Sequence, residues 1–398
     1  MGNEFSDLDT PVVLRVAIYV QHLLGTGHLV RMMALASALT KRNHHVVLLS
    51  GGEIKQGEYP GYEQVQLPIA KTAPGNFKQL LNGQGCPVDE RWKKNRAKQL
   101  LALVMDFVPQ VLIVETFPFG RRQMRFELLP LLDAVKAMDK PPLVISSIRD
   151  ILQARAPKRN QESVDLLRSY FDGVLVHSDP KLVPLSASFP LSDRIEPLVH
   201  YSGYIAQSNQ VLKQQEGVST GRDGFGEVIV SAGGGAVGLK LLLTAIEAKP
   251  FCSLKNARWR ILIGKNLHRR DADLLRTFAR DDIIVEKNRS DFQLLLGRCE
   301  LSISQAGYNS CLDIIHAGVR SVMVPFSSDG ETEQLQRAKL FSEKGLSVLV
   351  EEPELTIRTL CDAINEAMMK SVPTDFEVKS NGAQQSARFI EELSRKCR

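Results

Sequence analysis

The feature that most constrains the fold of this chain is a repeated alternation of short β-branched runs with stretches of helical spacing. Val12–Val20, Val111–Val114 and Val174–Val176 are such runs. After a polar, glycine-rich interval over 208–226 the same order restarts at Val228–Val230. Strands that alternate with helices predict βαβ units and parallel sheets. We therefore predict an α/β protein with two Rossmann-like domains whose parallel sheets face each other across a cleft.

The length of the chain agrees with two domains, because 398 residues exceed what one hydrophobic core usually organises. The polar interval predicts an N-terminal domain over 1–205 and a C-terminal domain over 206–374. In the remaining segment, 375–398, the spacing of Ala387 and Ile390 predicts a helix. We expect this helix to cross back to the N-terminal domain.

Composition narrows the class of protein further. With 43% apolar and 24% charged residues, the chain has the balance of a soluble globular protein. Its apolar runs are shorter than the roughly 20 residues that cross a bilayer, and its N-terminus is acidic where a signal peptide is basic. The six cysteines show no metal-ligand spacing. We expect a cytoplasmic protein with reduced thiols, no metal and no other cofactor.

The first glycine-rich turn, Gly25–Arg31, follows the strand that ends at Val20 and precedes a helix predicted over Met32–Thr40. Such a turn lies at the carboxyl edge of the strands, where ligands bind. On a helix His28 and Arg31 share a face. A neutral imidazole can take a proton from a substrate hydroxyl, while Arg31 and the backbone at Gly27 hold an anion. A polar helix start without chemistry accounts for the same residues.

Glu115 follows the strand Val111–Val114, so we expect it at the same sheet edge as His28. A carboxylate there can orient the imidazole, as in a catalytic triad. Binding an acceptor or capping the next turn are the alternatives. Arg121 and Arg122 follow closely and are candidates for holding an anionic acceptor.

A second glycine-rich turn, with Gly233, Gly234 and Gly235, lies between a strand and a helix and is suited to a diphosphate. Gly233 to Gly238 also matches the GxGxxG pattern, but the next strand ends without an acidic residue for a ribose. Leu239 occupies the place of a P-loop lysine. These features disfavour a dehydrogenase and a P-loop enzyme, and they leave open a turn without ligand.

A third segment, Ser302–Asp313, predicts a strand, a turn of small residues and a helix. Ser310 in the first helical turn is placed for a phosphate, and Asp313 one turn later for ribose hydroxyls. Glu333 and Gln334 open a later helix and are placed for sugar hydroxyls. An acidic first turn is also common compensation of the helix dipole.

Together these segments resemble the glycosyltransferase B superfamily. The stretch Val228–Val350 resembles in particular the bacterial transferases that add N-acetylglucosamine to the peptidoglycan lipid intermediate, whereas the N-terminal half matches mainly at Gly25–Arg31. The chain has Gln305 where that family usually carries arginine, and Asp313 where it usually carries glutamate. Both departures leave the identity of the donor open.

The resemblance implies a UDP-sugar donor and makes His28 the base. We expect inversion, and the helix starts predicted at 236–239 and 308–311 can balance the diphosphate charge, so we also expect a reaction without metal. It assigns donor contacts to residues of the C-terminal half already singled out, which are Gly233, Gly234, Gly235, Ser310, Asp313, Glu333 and Gln334. The motif at His28 also resembles the UDP-sugar hydrolases of pseudaminic acid synthesis, in which the histidine activates water. Those enzymes are shorter, and the region 51–107 here offers room for an acceptor site. A UDP-sugar 2-epimerase and a non-catalytic sensor are further alternatives.

Basic and aromatic residues at 91–98 and 117–122 are compatible with an anionic or lipid-linked acceptor and with peripheral contact at the inner face of the membrane. A solvated helix face explains the same residues. No recognisable nucleic-acid module accompanies them, so we expect no nucleic-acid partner. Asp271 and Asp273 have the spacing of a metal motif, but we expect them to cap a helix.

Overall fold

The computed structural model describes residues 12–23, 27–53, 61–73, 76–205, 221–233, 237–327, 331–372 and 379–397. Two parallel sheets dominate this part of the chain, and a small antiparallel hairpin accompanies the first. No helix within these ranges combines the length and the apolar character needed to cross a bilayer.

The N-terminal sheet has seven strands in the order β3-β2-β1-β6-β7-β8-β9, and every neighbouring pair is parallel. Its strands are β1 (Arg15–Val20), β2 (His45–Ser50), β3 (Glu63–Gln66), β6 (Val111–Glu115), β7 (Leu143–Arg149), β8 (Gly173–His177) and β9 (Val199–Tyr201). The hairpin consists of β4 (Lys71–Ala73) and β5 (Asn76–Leu81). Strand β1 is buried on both faces, as expected of a strand with helices on either side.

The C-terminal sheet has six parallel strands in the order β12-β11-β10-β13-β14-β15. They are β10 (Val228–Ser231), β11 (Trp259–Ile263), β12 (Ile283–Lys287), β13 (Leu301–Ser304), β14 (Ser321–Met323) and β15 (Val348–Leu349). If the hairpin is set aside, both sheets follow the Rossmann strand order, in which strands are added first on one side of the first strand and then on the other. This change of side opens a crevice between β1 and β6 in one sheet and between β10 and β13 in the other.

Helices cover the faces of both sheets. They are α1 (Gly27–Thr40), α2 (Glu90–Phe107), α3 (Arg125–Lys136), α4 (Pro157–Tyr170), α5 (Leu239–Ala248), α6 (Arg269–Arg276), α7 (Phe292–Leu296), α8 (Tyr308–Ala317), α9 (Glu333–Glu343), α10 (Ile357–Met369) and α11 (Gly382–Lys396). Asp89 starts α2 by accepting a hydrogen bond from the amide of Trp92 at 2.7 Å. Shorter 3₁₀ segments lie at Arg122–Met124, Leu185–Ala187, Ser192–Leu198, Lys249–Phe251 and Glu352–Glu354.

The last helix, α11, packs against the N-terminal sheet beside α1. Ala387 and Ile390 are fully buried in the core that also contains Leu35. Glu391 accepts hydrogen bonds from both Arg42 (2.7 Å) and His44 (2.9 Å). Gly382 starts the helix where space is minimal, because a Cβ there would lie 2.4 Å from the carbonyl oxygen of Gly203.

The fold class predicted from the sequence is confirmed, since both sheets are parallel and Rossmann-like, while the residue limits of the domains stay a prediction. The first helix begins at Gly27 rather than Met32. Strand β3, the hairpin and β9 were not predicted, because they are short and lack a periodic apolar pattern. The N-cap of α6 is His268, so the prediction that Asp271 caps this helix is wrong.

Candidate functional site

The first candidate centre lies where β1 and β6 run side by side. Strand β6 ends at Glu115, and α1, which follows β1, carries His28 as its second residue. Pairing of Tyr19 with Val114 brings the carboxyl ends of these two strands to the same edge of the sheet. The backbone therefore delivers both side chains to the crevice in which ligands of this fold class bind.

The structure brings His28 and Glu115 into direct contact, Nδ1 to Oε1. Glu115 is 1% exposed, whereas His28 keeps 17% of its side chain accessible. A carboxylate can only accept hydrogen bonds, so Nδ1 carries the ring hydrogen and Nε2 is left with a lone pair. This is the tautomer in which an imidazole, oriented by a carboxylate, can accept a proton at Nε2.

Two arginines flank the pair. Arg31 Nη2 lies 3.1 Å from His28 Nδ1 and 3.3 Å from Glu115 Oε1. Arg121 Nη2 lies 4.0 Å from Glu115 Oε2. The Nε of Arg121 donates to the carbonyl of Gln21 at 2.6 Å, which ties it to the segment after β1. With His28 neutral, one carboxylate balances two guanidinium groups, so the cluster retains a positive charge.

The protonation states follow from these contacts. Burial lowers the pKa of His28 to about 3, although Glu115 acts in the opposite direction and Arg121 and Arg31 act in the same one. Burial alone would raise the pKa of Glu115, but His28, Arg121 and Arg31 together hold it below its usual range. At neutral pH His28 is therefore uncharged and Glu115 is ionised, which are the states that a base and its orienting carboxylate require.

The second candidate centre lies at the crevice between β10 and β13. Gly233 has φ of +68°, a conformation that favours glycine, and its carbonyl accepts a hydrogen bond from Asn288 Nδ2 at 3.2 Å. A Cβ placed on Gly233 would lie 3.9 Å from Ser310 Oγ, so the serine in the first turn of α8 faces the glycine turn. Gly234 and Gly235 lie outside the described residues.

Two further predicted donor residues lie on α8 and α9. Asp313, one turn into α8, accepts a hydrogen bond from Gln293 Nε2 at 2.7 Å, and burial raises the pKa of its carboxyl. Gln334 Oε1 accepts from the amide of Phe326 at 3.2 Å. Both side chains thus have protein partners in this structure, and a ligand hydroxyl would share or replace those bonds.

Glu333, the first residue of α9, is turned toward the N-terminal sheet. Its carboxylate forms an ion pair with Arg149, the last residue of β7. Burial raises the pKa of Glu333, and Arg149 opposes that shift. The predicted sugar-binding carboxylate and the His28 sheet are therefore joined by a direct contact.

Of two further predicted anion-binding residues, Arg122 pairs elsewhere, whereas Gly27 directly precedes His28 at the start of α1. Arg122 pairs with Glu162 of α4, and 56% of its side chain is exposed. Gly27 is exposed, and a Cβ placed on it would meet nothing within 4 Å, so no close packing explains the glycine. Arg96, within the basic run read as a possible lipid-facing surface, is fully buried and pairs with Glu127. That run is therefore not a uniformly exposed charged surface.

The sequence did not indicate a buried ion pair between the two sheets. Arg337 of α9 donates to Asp150 from Nε (2.6 Å) and Nη2 (2.9 Å), and from Nη1 to the carbonyl of Ala306 (2.8 Å). Both charged side chains are at most 2% exposed. Asp150 directly follows β7, a position typical of site residues, but its partner is distant in sequence. Among the described residues, no group of three or more histidine, cysteine, aspartate or glutamate side chains could hold a metal ion.

Comparison with known proteins gives a consistent result. Residues 229–393 match the model of the glycosyltransferase family 28 C-terminal domain. Over 66 residues the chain is 35% identical to the UDP-N-acetylglucosamine--N-acetylmuramyl-(pentapeptide) pyrophosphoryl-undecaprenol N-acetylglucosamine transferase of Synechococcus elongatus. That alignment covers 17% of this chain and 18% of the relative, so it spans less than a fifth of the relative's length.

Solved structures extend the likeness to nearly the whole chain. The glycotransferase of kitacinnamycin superposes with a TM-score of 0.65 at 15% identity, covering 96% of this chain and 100% of that one. MurG of Acinetobacter baumannii superposes with a TM-score of 0.57 at 13% identity, covering 95% and 99%. Identities this low establish a shared fold and not a shared substrate. The chain therefore has the glycosyltransferase B fold over nearly its whole length, and its residues 229–393 are similar to the glycosyltransferase family 28 C-terminal domain.

Proposed function

We propose that this chain is a glycosyltransferase that moves a sugar from a UDP-sugar to a hydroxyl group of an acceptor, with His28 as the general base. The observation that carries the proposal is the His28–Glu115 contact at the β1/β6 crevice. It supplies an uncharged imidazole whose Nε2 is free to accept a proton. The glycosyltransferase family 28 domain on the other sheet supports a nucleotide-sugar donor.

The proposed reaction is a single displacement. The acceptor hydroxyl gives its proton to His28 Nε2 while its oxygen forms a bond to the anomeric carbon of the sugar. The bond between that carbon and the diphosphate oxygen breaks, and UDP leaves with the electron pair. Attack from the face opposite to UDP inverts the anomeric configuration. Glu115, ionised and in contact with His28, stabilises the imidazolium that forms.

We propose that helix N-termini, rather than a metal, balance the charge on the departing diphosphate. Helix α8 begins after Gly307 with Ser310 in its first turn, and the Ser310 hydroxyl faces the glycine turn. The amide groups of a helix N-terminus have no partner within the helix and bind anions. Backbone donors of this kind act without rearrangement when charge develops. Loss of transfer on adding a chelator, restored by a divalent cation, would contradict this part of the proposal.

The acceptor we propose is lipid-linked or anionic, reached by peripheral contact at the cytoplasmic face of the membrane. Two facts support it. The Synechococcus elongatus relative is named for a pyrophosphoryl-undecaprenol substrate. The cluster of Arg31 and Arg121 around one carboxylate leaves positive charge next to His28. Sedimentation with vesicles rich in anionic lipid, compared with neutral vesicles, tests the membrane contact.

The donor is tested by thermal denaturation with nucleotides. A ligand at 100 times its dissociation constant stabilises the folded state by about 2.7 kcal/mol. We expect uridine diphosphate and UDP-sugars to raise the melting temperature and NAD(P) to leave it unchanged. Stabilisation by NAD(P) alone would refute the donor assignment.

The base is tested with His28→Ala. Uridine diphosphate affinity should stay nearly constant, because the proposed diphosphate contacts lie on the other sheet, while turnover falls by roughly 10²–10⁴-fold. UDP-sugar supplied without an acceptor separates the two candidate reactions: fast release of free sugar identifies a hydrolase, and slow leakage identifies a transferase. Full turnover by His28→Ala would show that His28 is not the base.

A further inference from the structure

Tyr308, the first residue of α8, contacts the N-terminal half of the protein and has no role in the reaction proposed above. Its hydroxyl donates to the carbonyl of His177 at 3.3 Å and accepts from the amide of Ile205 at 3.3 Å. The side chain is buried. Both partners are main-chain groups, so they fix the ring relative to the backbone of the N-terminal half.

The ring of Tyr308 faces the guanidinium of Arg31, whose Cζ lies 5.5 Å from the ring centroid. A guanidinium over an aromatic face is attracted by the ring, and more strongly when both are desolvated. The same guanidinium contacts His28 and Glu115 through Nη2. Arg31 is thus held between the aromatic ring of one sheet and the His28–Glu115 pair of the other.

The neighbours of Tyr308 are themselves held by further contacts. The ring of His177 is held by the hydroxyls of Ser147 and Ser202, each at 2.8 Å. Tyr204 packs against Tyr308 with ring centroids 5.6 Å apart. Tyr308 therefore lies in a closely packed part of the interface. Because Ser310 belongs to the same first helical turn, the ring and the proposed phosphate contact move together.

We propose that Tyr308 is a positioning residue, which holds Arg31 against the His28–Glu115 pair so that the base is correctly assembled only when α8 is seated against the N-terminal sheet. The proposal rests on the proposed function in one respect, that His28 is the base. It extends that function by naming the element that connects the donor-side helix with the base.

The neighbouring tyrosine provides a matched control. Tyr204 is as buried as Tyr308 and packs against the same ring, but its hydroxyl has no hydrogen-bond partner among the described residues. Replacing Tyr204 by leucine should leave Arg31 in place, because the guanidinium faces the ring of Tyr308. A general effect of altering this interface would appear in both tyrosines, whereas a positioning role belongs to Tyr308 alone.

The titration of His28 reports the position of Arg31. The charged groups that influence His28 are Glu115, which raises its pKa, and Arg121 and Arg31, which lower it. If Arg31 moves away, one lowering influence is lost and the pKa of His28 rises. An opposing or like charge within a few ångströms shifts a pKa by about one to three units, so the change is measurable.

The experiment is a pH titration of the histidine side chains by NMR in the full-length protein, with and without the substitutions. We expect Tyr308→Leu and Arg31→Met each to move the titration of His28 upward by about one unit. Tyr204→Leu, the matched change at the neighbouring ring, should leave it unchanged, and Tyr308→Phe, which keeps the ring over Arg31 but loses both hydroxyl bonds, should shift it less than Tyr308→Leu does. The double variant Tyr308→Leu/Arg31→Met should titrate like Arg31→Met alone, because both changes remove the same contact.

Two results would overturn the proposal: an unchanged His28 titration in Tyr308→Leu, or shifts that add fully in the double variant. If Tyr308→Leu does not fold, Tyr308→Met replaces it, because the longer and more flexible methionine side chain fills more of the space left by the tyrosine ring. Calorimetric titration with uridine diphosphate should show unchanged affinity in Tyr308→Phe. The NMR measurement needs no turnover, so failure to find any transfer reaction would count against the proposed function and leave this result interpretable.

Discussion

Replacing Glu115 by glutamine tests most directly how the His28 cluster works. Glu115 Oε1 contacts His28 and Arg31, and Oε2 faces Arg121. A glutamine amide has only one oxygen, so it cannot serve both sides. If the oxygen faces His28, the NH₂ group is placed against Arg121. If the oxygen faces Arg121, the NH₂ group is placed against the N–H of His28 and against Arg31.

Either orientation removes the negative charge that balances an imidazolium in the transition state. The loss expected for a base deprived of its carboxylate partner is about 10³ to 10⁴-fold in turnover. That factor corresponds to about 4 to 5.5 kcal/mol of transition-state stabilisation. Donor affinity should change little, because the proposed donor contacts lie on the other sheet, so the loss should appear in kcat rather than in KM for the UDP-sugar.

The control is Glu127→Gln, which alters a second buried carboxylate, carried by α3 in the same half of the protein. Glu127 is fully buried and accepts hydrogen bonds from Arg96 and Tyr19, and it does not contact His28. The Glu127→Gln substitution should lower the free energy of unfolding without reducing kcat per folded molecule. Steady-state kinetics of folded, gel-filtered protein compares the two. If Glu115→Gln keeps kcat within tenfold of the unchanged protein, or if Glu127→Gln loses as much, Glu115 does not act through His28.

Three other outcomes are expected. Asp150→Ala should leave Arg337 buried without its carboxylate partner and lower the free energy of unfolding by about 3–5 kcal/mol, whereas Arg149→Met, at a partly exposed pair, should cost about 1 kcal/mol or less. Urea denaturation measures both losses, and equal losses would contradict the assignment of the buried pair. His28 and His177 have pKa values of about 3, below the roughly 6.5 of an unfolded chain, so the unfolded state binds protons first and the free energy of unfolding should fall as the pH drops below about 6.5. Denaturation midpoints at several pH values check the sign. Replacing His177 by glutamine should reduce the dependence of the midpoint on pH. Gly382→Ala should place a Cβ against the carbonyl of Gly203 and loosen α11, which limited proteolysis would detect as earlier cleavage before that helix; an unchanged cleavage pattern would show that the backbone relaxes there.

The pairing of His28 with Glu115 could be anticipated because each follows a strand of one parallel sheet. The carboxyl ends of neighbouring parallel strands meet at one edge, so a residue after β1 and a residue at the end of β6 come close without any knowledge of the packing. The same reasoning places Ser310 opposite the glycine turn after β10. The fold class followed from the alternation of strands and helices for the same reason.

Contacts between the sheets could not be anticipated in this way. The pairs Asp150–Arg337 and Arg149–Glu333 and the hydroxyl bonds of Tyr308 depend on how two separately folded sheets dock, and no local pattern encodes that arrangement. Arg96 is a different case, since a usable signal was present. It shares one helical face with Leu100 and Val104, which are buried, and that spacing marks an inward position within an otherwise polar run.

Helix α11 limits how the chain can be cut into fragments that fold, because it follows the C-terminal sheet in sequence but packs with the N-terminal one. The end of the chain supplies Ala387 and Ile390 to the core beneath α1, and Glu391 to Arg42 and His44. A fragment that stops near residue 205 would therefore expose apolar surface and leave Arg42 and His44 without the carboxylate of Glu391, although all strands of its sheet are present. During synthesis all strands of the C-terminal sheet are made before α11, the helix that completes the packing around the N-terminal sheet. Expression of the first half alone should accordingly require α11 to be fused to it or supplied as a separate peptide.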